Sequence, residues 1–284
     1  MKILTIRPHD DHFPPLLRLI HSVPKQLYYL GQPPIDTTPA IAIVGSRRPT
    51  GYGLAVTKLL SEELARRGVT IVSGLALGID AVAHRAALKA GGRTIAIMPG
   101  GLERVYPASH QSLAKDILLN GGTLISEYAS GTPPFKQNFV ARNRLVSGMS
   151  DAVLVTEAAA KSGTLITVKF ALEQGKTVLS VPGNITSVLS AGTNNLIKTG
   201  ATPVTDVVDI LHAIGLVDTE KQHTPVAMSA DEGVIIQLLS SGITQQEELL
   251  SKCNLPVTAF NSTLTMLEIT GRVENIGQGQ WILR

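Results

Sequence analysis

The sequence predicts an α/β fold with a parallel sheet core covered by helices on both faces, and three observations carry that prediction. Six short apolar runs, at residues 40–44, 70–73, 94–98, 123–126, 152–156 and 177–181, are rich in β-branched residues and almost uninterrupted, as strands buried on both faces must be. Amphipathic segments such as GLAVTKLLSEELARRG and GIDAVAHRAALKAGG lie between them, each closing on the glycine that ends a helix in the left-handed conformation. Regular strand–helix alternation makes the strands parallel, because each crossover returns the chain to the same edge of the sheet. Ligands of such sheets bind beyond the carboxyl ends of the strands, and this sequence concentrates Gly, Ser and Arg there.

Composition agrees with a folded protein. At 284 residues the chain has room for one large domain, or one plus a small one. A hydrophobic share of 44% against 17% charged residues excludes a disordered chain. No apolar run approaches the roughly 18 residues of a membrane span, and the N-terminal MKILTIRPHDD breaks at Arg7, too early for a secretory segment. A single cysteine, Cys253, excludes a disulfide framework and a cysteine-based zinc cluster, so a reducing cytosol is expected. The net charge of +3 says little about partners, but its distribution says more. Residues 226–284 carry three bases against six acids, which leaves +6 on the rest of the chain.

The segments follow in order. Residues 1–39, rich in Pro and aromatics, read as a short N-terminal appendage packed on the core, with Leu16, Leu17, Leu19 and Ile20 on one face of a short helix. Residues 40–214 hold the alternating pattern, and the polar, aperiodic stretch 215–228 reads as a linker. Residues 229–284 give three helical patterns and a hairpin turning at Gly277 and Gly279, the pattern of a small winged-helix domain. Its third helix has no Lys or Arg, and Val257, Phe260, Leu264 and Leu267 recur there at core spacing. An acidic winged helix meets DNA phosphates poorly, so protein contact or regulation is expected of it.

The first strand runs into Gly45-Ser46-Arg47-Arg48-Pro49-Thr50-Gly51-Tyr52-Gly53, a turn that aims backbone N–H groups and a helix N-terminus at an anion, with Arg47 as a forked phosphate ligand. Familiar nucleotide signatures fail. The glycines do not form G-x-G-x-x-G, the second strand ends in Ser73-Gly74-Leu75 with no acid placed to hold a ribose, and Gly175-Lys176-Thr177 enters a strand with Phe170 where a phosphate loop needs glycine. A dinucleotide dehydrogenase and a phosphate-loop ATPase are thereby excluded. Asp80 and His84, at i and i+4, read as structural, since two ligands without a third make a poor metal site. In Pro133–Arg144, Lys136, Arg142 and Arg144 interleave with Phe135 and Phe139, the mixture that tracks phosphates and stacks bases of a single strand. Ser162, Gly163 and Thr164 open a further helix as a second anion site. No G-x-S-x-G, H-E-x-x-H or Cys–His pattern marks a catalytic centre.

Together GSR at 45–47, SGLALGID at 73–80, PGG at 99–101, SE at 126–127, ARNRLVSGMS at 141–150, SGTLIT at 162–167, VPGN at 181–184 and GTNNLIKTGA at 192–201 resemble the DNA-processing protein A family, also called Smf, over residues 12–212. The resemblance implies an extended Rossmann-like domain that binds single-stranded DNA and loads RecA on DNA entering in natural transformation. It implies a cytoplasmic homodimer joined through that domain, with no catalytic residue, metal or cofactor. The sterile-alpha-motif-like domain that precedes the core in some members is not expected here. By motif, the DNA pocket falls on Gly45, Ser46 and Arg47, on Lys136, Phe139, Arg142 and Asn143, and on Gly163, Thr164 and Thr167. The acidic tail departs from a DNA-reading winged helix. The competing expectation is a Rossmann-like nucleotide phosphoribohydrolase, but its PGG-x-GT loop fails at Leu102-Glu103-Arg104.

Overall fold

The computed structural model describes residues 2–34, 39–216, 229–277 and 279–283. It divides into two compact units, Met1–Val217 and Asp218–Arg284.

The first unit is built on a nine-stranded sheet. Its strands are β1 (Leu4–Ile6), β2 (Leu27–Gly31), β3 (Ala40–Val44), β4 (Thr70–Ser73), β5 (Thr94–Met98), β6 (Thr123–Ser126), β7 (Ala152–Val155), β8 (Thr177–Ser180) and β9 (Thr202–Pro203), in the order β1-β2-β6-β5-β4-β3-β7-β8-β9. Strands β3 to β9 are mutually parallel; β2 runs antiparallel to β6, and β1 antiparallel to β2. All six runs expected as strands are strands. The N-terminal segment does more than cover the core: β1 and β2 extend the sheet. With three and five residues among prolines, they gave no period to read.

Buried strand residues alternate between the two faces, as the two-residue pleat requires. Ala40, Ala42 and Val44 of β3 pack with α4 (Lys136–Gly148), α5 (Thr164–Glu173) and the N-terminal Phe13, Leu17 and Ile20. Ile41 and Ile43 pack the other way, against α1 (Gly51–Arg66), α2 (Ile79–Lys89) and α7 (Val207–Ala213). Further along that face α3 (Gln111–Leu119) covers β5 and β6 with Leu113 and Ile117, whereas α6 (Ala191–Lys198) places Leu196 on the α4 and α5 side beside β8. The expected helix near Leu16 is a 3-10 turn, Pro15–Arg18, with three residues per turn. Leu17 and Ile20 therefore share the buried side, and Leu19 stands 79% exposed, a correction to the expected face of Leu16, Leu17, Leu19 and Ile20.

The second unit holds α8 (Ala230–Ser240), α9 (Gln246–Lys252) and α10 (Val257–Ile269), followed by the hairpin β10 (Val273–Gly277) and β11 (Gln280–Leu283). Ile235, Ile236, Leu249, Phe260, Leu264, Leu267 and Trp281 form its core. Val257, expected in that core, is 58% exposed because it occupies the first position of α10, ahead of the turn that packs. Gly277 and Gly279 both take positive φ, as the tight hairpin demands. The expected linker falls mostly at 217–228, outside the described residues.

Candidate nucleic-acid interface

Sheet order fixes where a ligand enters. From β3 the chain steps outward through β4, β5 and β6, then returns to the other side of β3 as β7. The chain leaves β3 for α1 on one face of the sheet and β7 for α5 on the other, which opens a crevice at the carboxyl edge. All ten residues expected to bind DNA line one pocket there, of about 670 Å³: Gly45, Ser46, Arg47, Lys136, Phe139, Arg142, Asn143, Gly163, Thr164 and Thr167.

Three segments bring them together. The loop after β3 supplies the first three. Gly45 is required by closeness, since a Cβ there would stand 2.6 Å from the Ile79 side chain and 2.9 Å from Glu157 O. Helix α4 supplies Lys136, Phe139, Val140 and Asn143 at i, i+3, i+4 and i+7, one face of one helix. Gly163 precedes α5 as its N-cap, and the helix itself supplies Thr164 and Thr167. The Thr164 hydroxyl donates to Gly45 O at 2.9 Å, which ties the start of α5 to the first loop.

The exposed Arg47 and Lys136 leave their charges in solvent at the rim. The Arg47 guanidinium lies 5.9 Å from the centroid of the half-buried Phe139 ring, within cation–π range. Tyr106 meets the same ring edge-on, with centroids 5.2 Å apart and planes at 74°. The side chains of Asn143 and Thr167 make no hydrogen bond among the described residues, which leaves an amide and a hydroxyl available in the wall.

Arg142 behaves differently from the other cations. It is 4% exposed, and its Nη1 donates to Gly74 O at 2.7 Å and closely to Ile97 O. Burial lowers its pKa to about 10, with Asp80 opposing the shift, so it stays cationic at neutral pH while its hydrogen bonds tie β5 to the loop after β4. Gly74 has no room for a side chain, since a Cβ would stand 2.6 Å from Arg142 Nη2. Asp80 accepts from Gly74 N at 3.0 Å and Ala76 N at 3.3 Å, and its burial raises its pKa against the opposing pull of Arg142. Between them Leu75 sits at φ +54°, unusual for a leucine, with its carbonyl taking the His110 Nδ1–H at 2.9 Å. Arg142 and Asp80 thus brace the pocket floor.

Three expectations need correction. The N-terminus of α1 is not open to an outside anion, because the Glu157 carboxylate already accepts Thr50 N–H at 3.0 and 3.2 Å. Arg144 is not a phosphate ligand of this pocket: it pairs with Glu127 at 2.6 Å, donates to Ser22 O, and lies outside the lining. Phe135 also falls outside it, 54% exposed. Tyr106, which no motif marks, and Lys161, one of the bases between Lys136 and Lys176, also line the pocket. The scarcity of aromatics, 4% of the chain, was the signal available for Tyr106. No group of three or more metal-ligating residues occurs among the described residues.

A doubly wound α/β sheet whose switch-point crevice carries rim cations around an aromatic ring, followed by a small winged helix, defines a class: Rossmann-like proteins with an appended winged-helix domain. Within it, the family model for DNA recombination-mediator protein A matches residues 4–215, and that for the DprA winged helix domain matches residues 219–279; the chain belongs to the DNA recombination-mediator protein A family. Protein Smf of Escherichia coli K12 is 37% identical over 98% of this chain and 77% of its own length. The X-ray structure of DNA processing protein A from Streptococcus pneumoniae superposes with a TM-score of 0.70 at 39% identity, covering 75% of this chain and 74% of that one. DNA processing protein A from Helicobacter pylori, described with a unique single-stranded DNA binding mode, gives 0.68 at 33% identity, over 75% of this chain and 96% of that one.

Proposed function

We propose that the protein is a single-stranded-DNA-binding recombination mediator whose strand lies across the switch-point pocket. Arg47 and Lys136 meet phosphates, with Lys161 as a third rim cation, and a base stacks on Phe139. Asn143, Thr164 and Thr167 offer polar groups to the strand beside the stacked base, Gly45, Ser46 and Gly163 let its backbone approach, and Arg142 acts from beneath. The observation that carries this reading is the meeting of Arg47 and Phe139, from elements some ninety residues apart, within 5.9 Å in one open crevice. In the cell the bound strand is handed to RecA, in the recombination of DNA taken up by natural transformation, by a cytoplasmic homodimer joined through the Rossmann-like unit. No helix among the described residues is long and apolar enough to cross a membrane.

The protein acts by binding, not by catalysis. Among the lining residues the one carboxylate is Asp80, which is buried and held by two backbone N–H groups, and a phosphoribohydrolase needs a carboxylate facing its substrate. A mobility shift with a short oligonucleotide, run beside an AMP hydrolysis assay, tests the proposal. A shifted band without adenine release is expected. Adenine release without a shift would overturn it.

A further inference from the structure

A pocket meant for a polyanion keeps a buried carboxylate behind its first loop. Glu157 lies two residues past β7 and is 2% exposed. It is tied to the loop at both ends. Its main-chain oxygen accepts the Ser46 N–H at 2.8 Å, and its carboxylate accepts the Thr50 N–H at 3.0 and 3.2 Å together with the Thr50 hydroxyl. Thr50 Oγ1 in turn takes the Gly53 N–H at 3.2 Å. Gly53 makes way for the acid, since a Cβ there would stand 2.7 Å from Glu157 Oε2. Ser46 O is held from the opposite side by the Ile79 N–H at 3.1 Å.

Arg47 lies between these two fixed points, Ser46 and Thr50. Its own side chain has no hydrogen bond or ion pair among the described residues, only the Phe139 ring. The direction in which it leaves the backbone is therefore set by the loop, and the loop is set by Glu157. We infer that Glu157 is a positioning residue for DNA binding, an internal anion that fills the start of α1 and holds the Ser46–Thr50 loop so that Arg47 faces the strand. This rests on the single-strand reading of the pocket and adds to it a residue that never touches the DNA.

The two roles open to a carboxylate beside a DNA pocket predict effects of opposite sign. A carboxylate acting only through its charge repels the strand, so Glu157→Gln would tighten binding and steepen its salt dependence. A positioning carboxylate does the reverse: the loop slackens, Arg47 loses its aim, and binding weakens while the salt slope flattens. The test is a fluorescence titration of the full chain with a labelled oligothymidine over a range of salt. It compares wild type with Glu157→Gln and Glu157→Ala, each also combined with Arg47→Ala and, separately, with Lys136→Ala. Melting curves show which variants are folded, and Glu157→Gln, which keeps the shape and one acceptor oxygen, serves where the alanine variant does not fold.

The expected result for Glu157→Gln is a five- to tenfold loss of affinity with a slope shallower by about one phosphate contact. In the Arg47→Ala background the same change costs less than twofold, because there is no arginine left to position. In the Lys136→Ala background, on α4, it costs its full factor. Unchanged or tighter binding by Glu157→Gln, or an equal loss in both backgrounds, overturns the inference. If wild type binds no oligonucleotide at all, the proposed function falls and the inference with it. That outcome is read from the first titration, before any variant is compared.

Discussion

Replacing Arg47 or Lys136 by alanine is expected to weaken single-stranded DNA binding by about tenfold each, or roughly 1.4 kcal/mol, and to flatten its salt dependence by about one contact. Both side chains are exposed at the rim, where a cation that meets a phosphate releases a counterion. Phe139→Ala is expected to cost on the order of 1–3 kcal/mol yet leave the slope nearly unchanged, because a stacked base displaces no ions. The geometry adds a coupling. Arg47 lies over the Phe139 ring in the free protein, so a base can reach that face only as the guanidinium moves off toward a phosphate. Either single variant already removes the contact that the wild type must break on binding, so the double variant Arg47→Ala, Phe139→Ala should lose more than the two single losses together. Titrations at several salt concentrations check all of this. If Phe139→Ala flattens the slope as much as the cation variants do, the ring supports the fold or Arg47 and is not a stacking surface.

A second large effect is expected on stability in acid. His84, on α2, is fully buried, and its Nδ1 lies 2.6 Å from Thr94 Oγ1. That hydroxyl donates its own proton to Ile71 O at 2.7 Å, so it accepts from Nδ1–H, and His84 is neutral with a bare Nε2 that has no partner. Burial first, then His110 and the arginines 142 and 85, hold its pKa down to about 3 against an ordinary 6.5. A histidine with a depressed folded pKa contributes stability that is fully present above pH 6.5 and is lost as the pH falls toward 3. Each unit within that window costs up to about 1.4 kcal/mol. Asp80, shifted upward, works in the opposite sense, so the comparison is made with a variant. Between pH 7.5 and 4.5, denaturant unfolding of the wild type should lose about 2–3 kcal/mol more than His84→Gln, which keeps a donor for Thr94 but does not titrate. Equal losses would mean that His84 is not buried as described.

The sequence made most of the sheet legible because each of the central strands is buried on both faces, and burial on both faces writes an unbroken β-branched run such as AIAIV or TIAIM. It did not make β1 and β2 legible. An edge strand of three residues and a five-residue strand ending at Gly31 show no more period than a loop does. At the site, the residues that line the pocket could be found by type, since glycines, cations and a scarce aromatic gather at strand ends. What those residues are tied to could not. Arg142, Arg144 and Lys136 look alike along ‘KQNFVARNR’, yet one is buried under carbonyls, one is paired with Glu127 and one reaches solvent. Glu157 could be seen to follow a strand, but that its carboxylate would occupy the start of α1 depends on β3 and β7 being neighbours. That pairing spans more than a hundred residues of chain.

The central claim, that this crevice holds one unpaired strand and reads no base edges, is tested most directly by a competition titration. Labelled oligothymidine bound to the full protein is displaced by unlabelled single strands of different sequence and by duplex of the same length. Phosphate contacts from Arg47 and Lys136 and stacking on Phe139 need a base free of its partner but not a particular base. Single strands of different sequence should compete within a few fold of one another and much better than duplex, with log affinity falling by about 0.7 per neutralised phosphate for each tenfold rise in salt. Duplex competing as well as single strands would contradict the account.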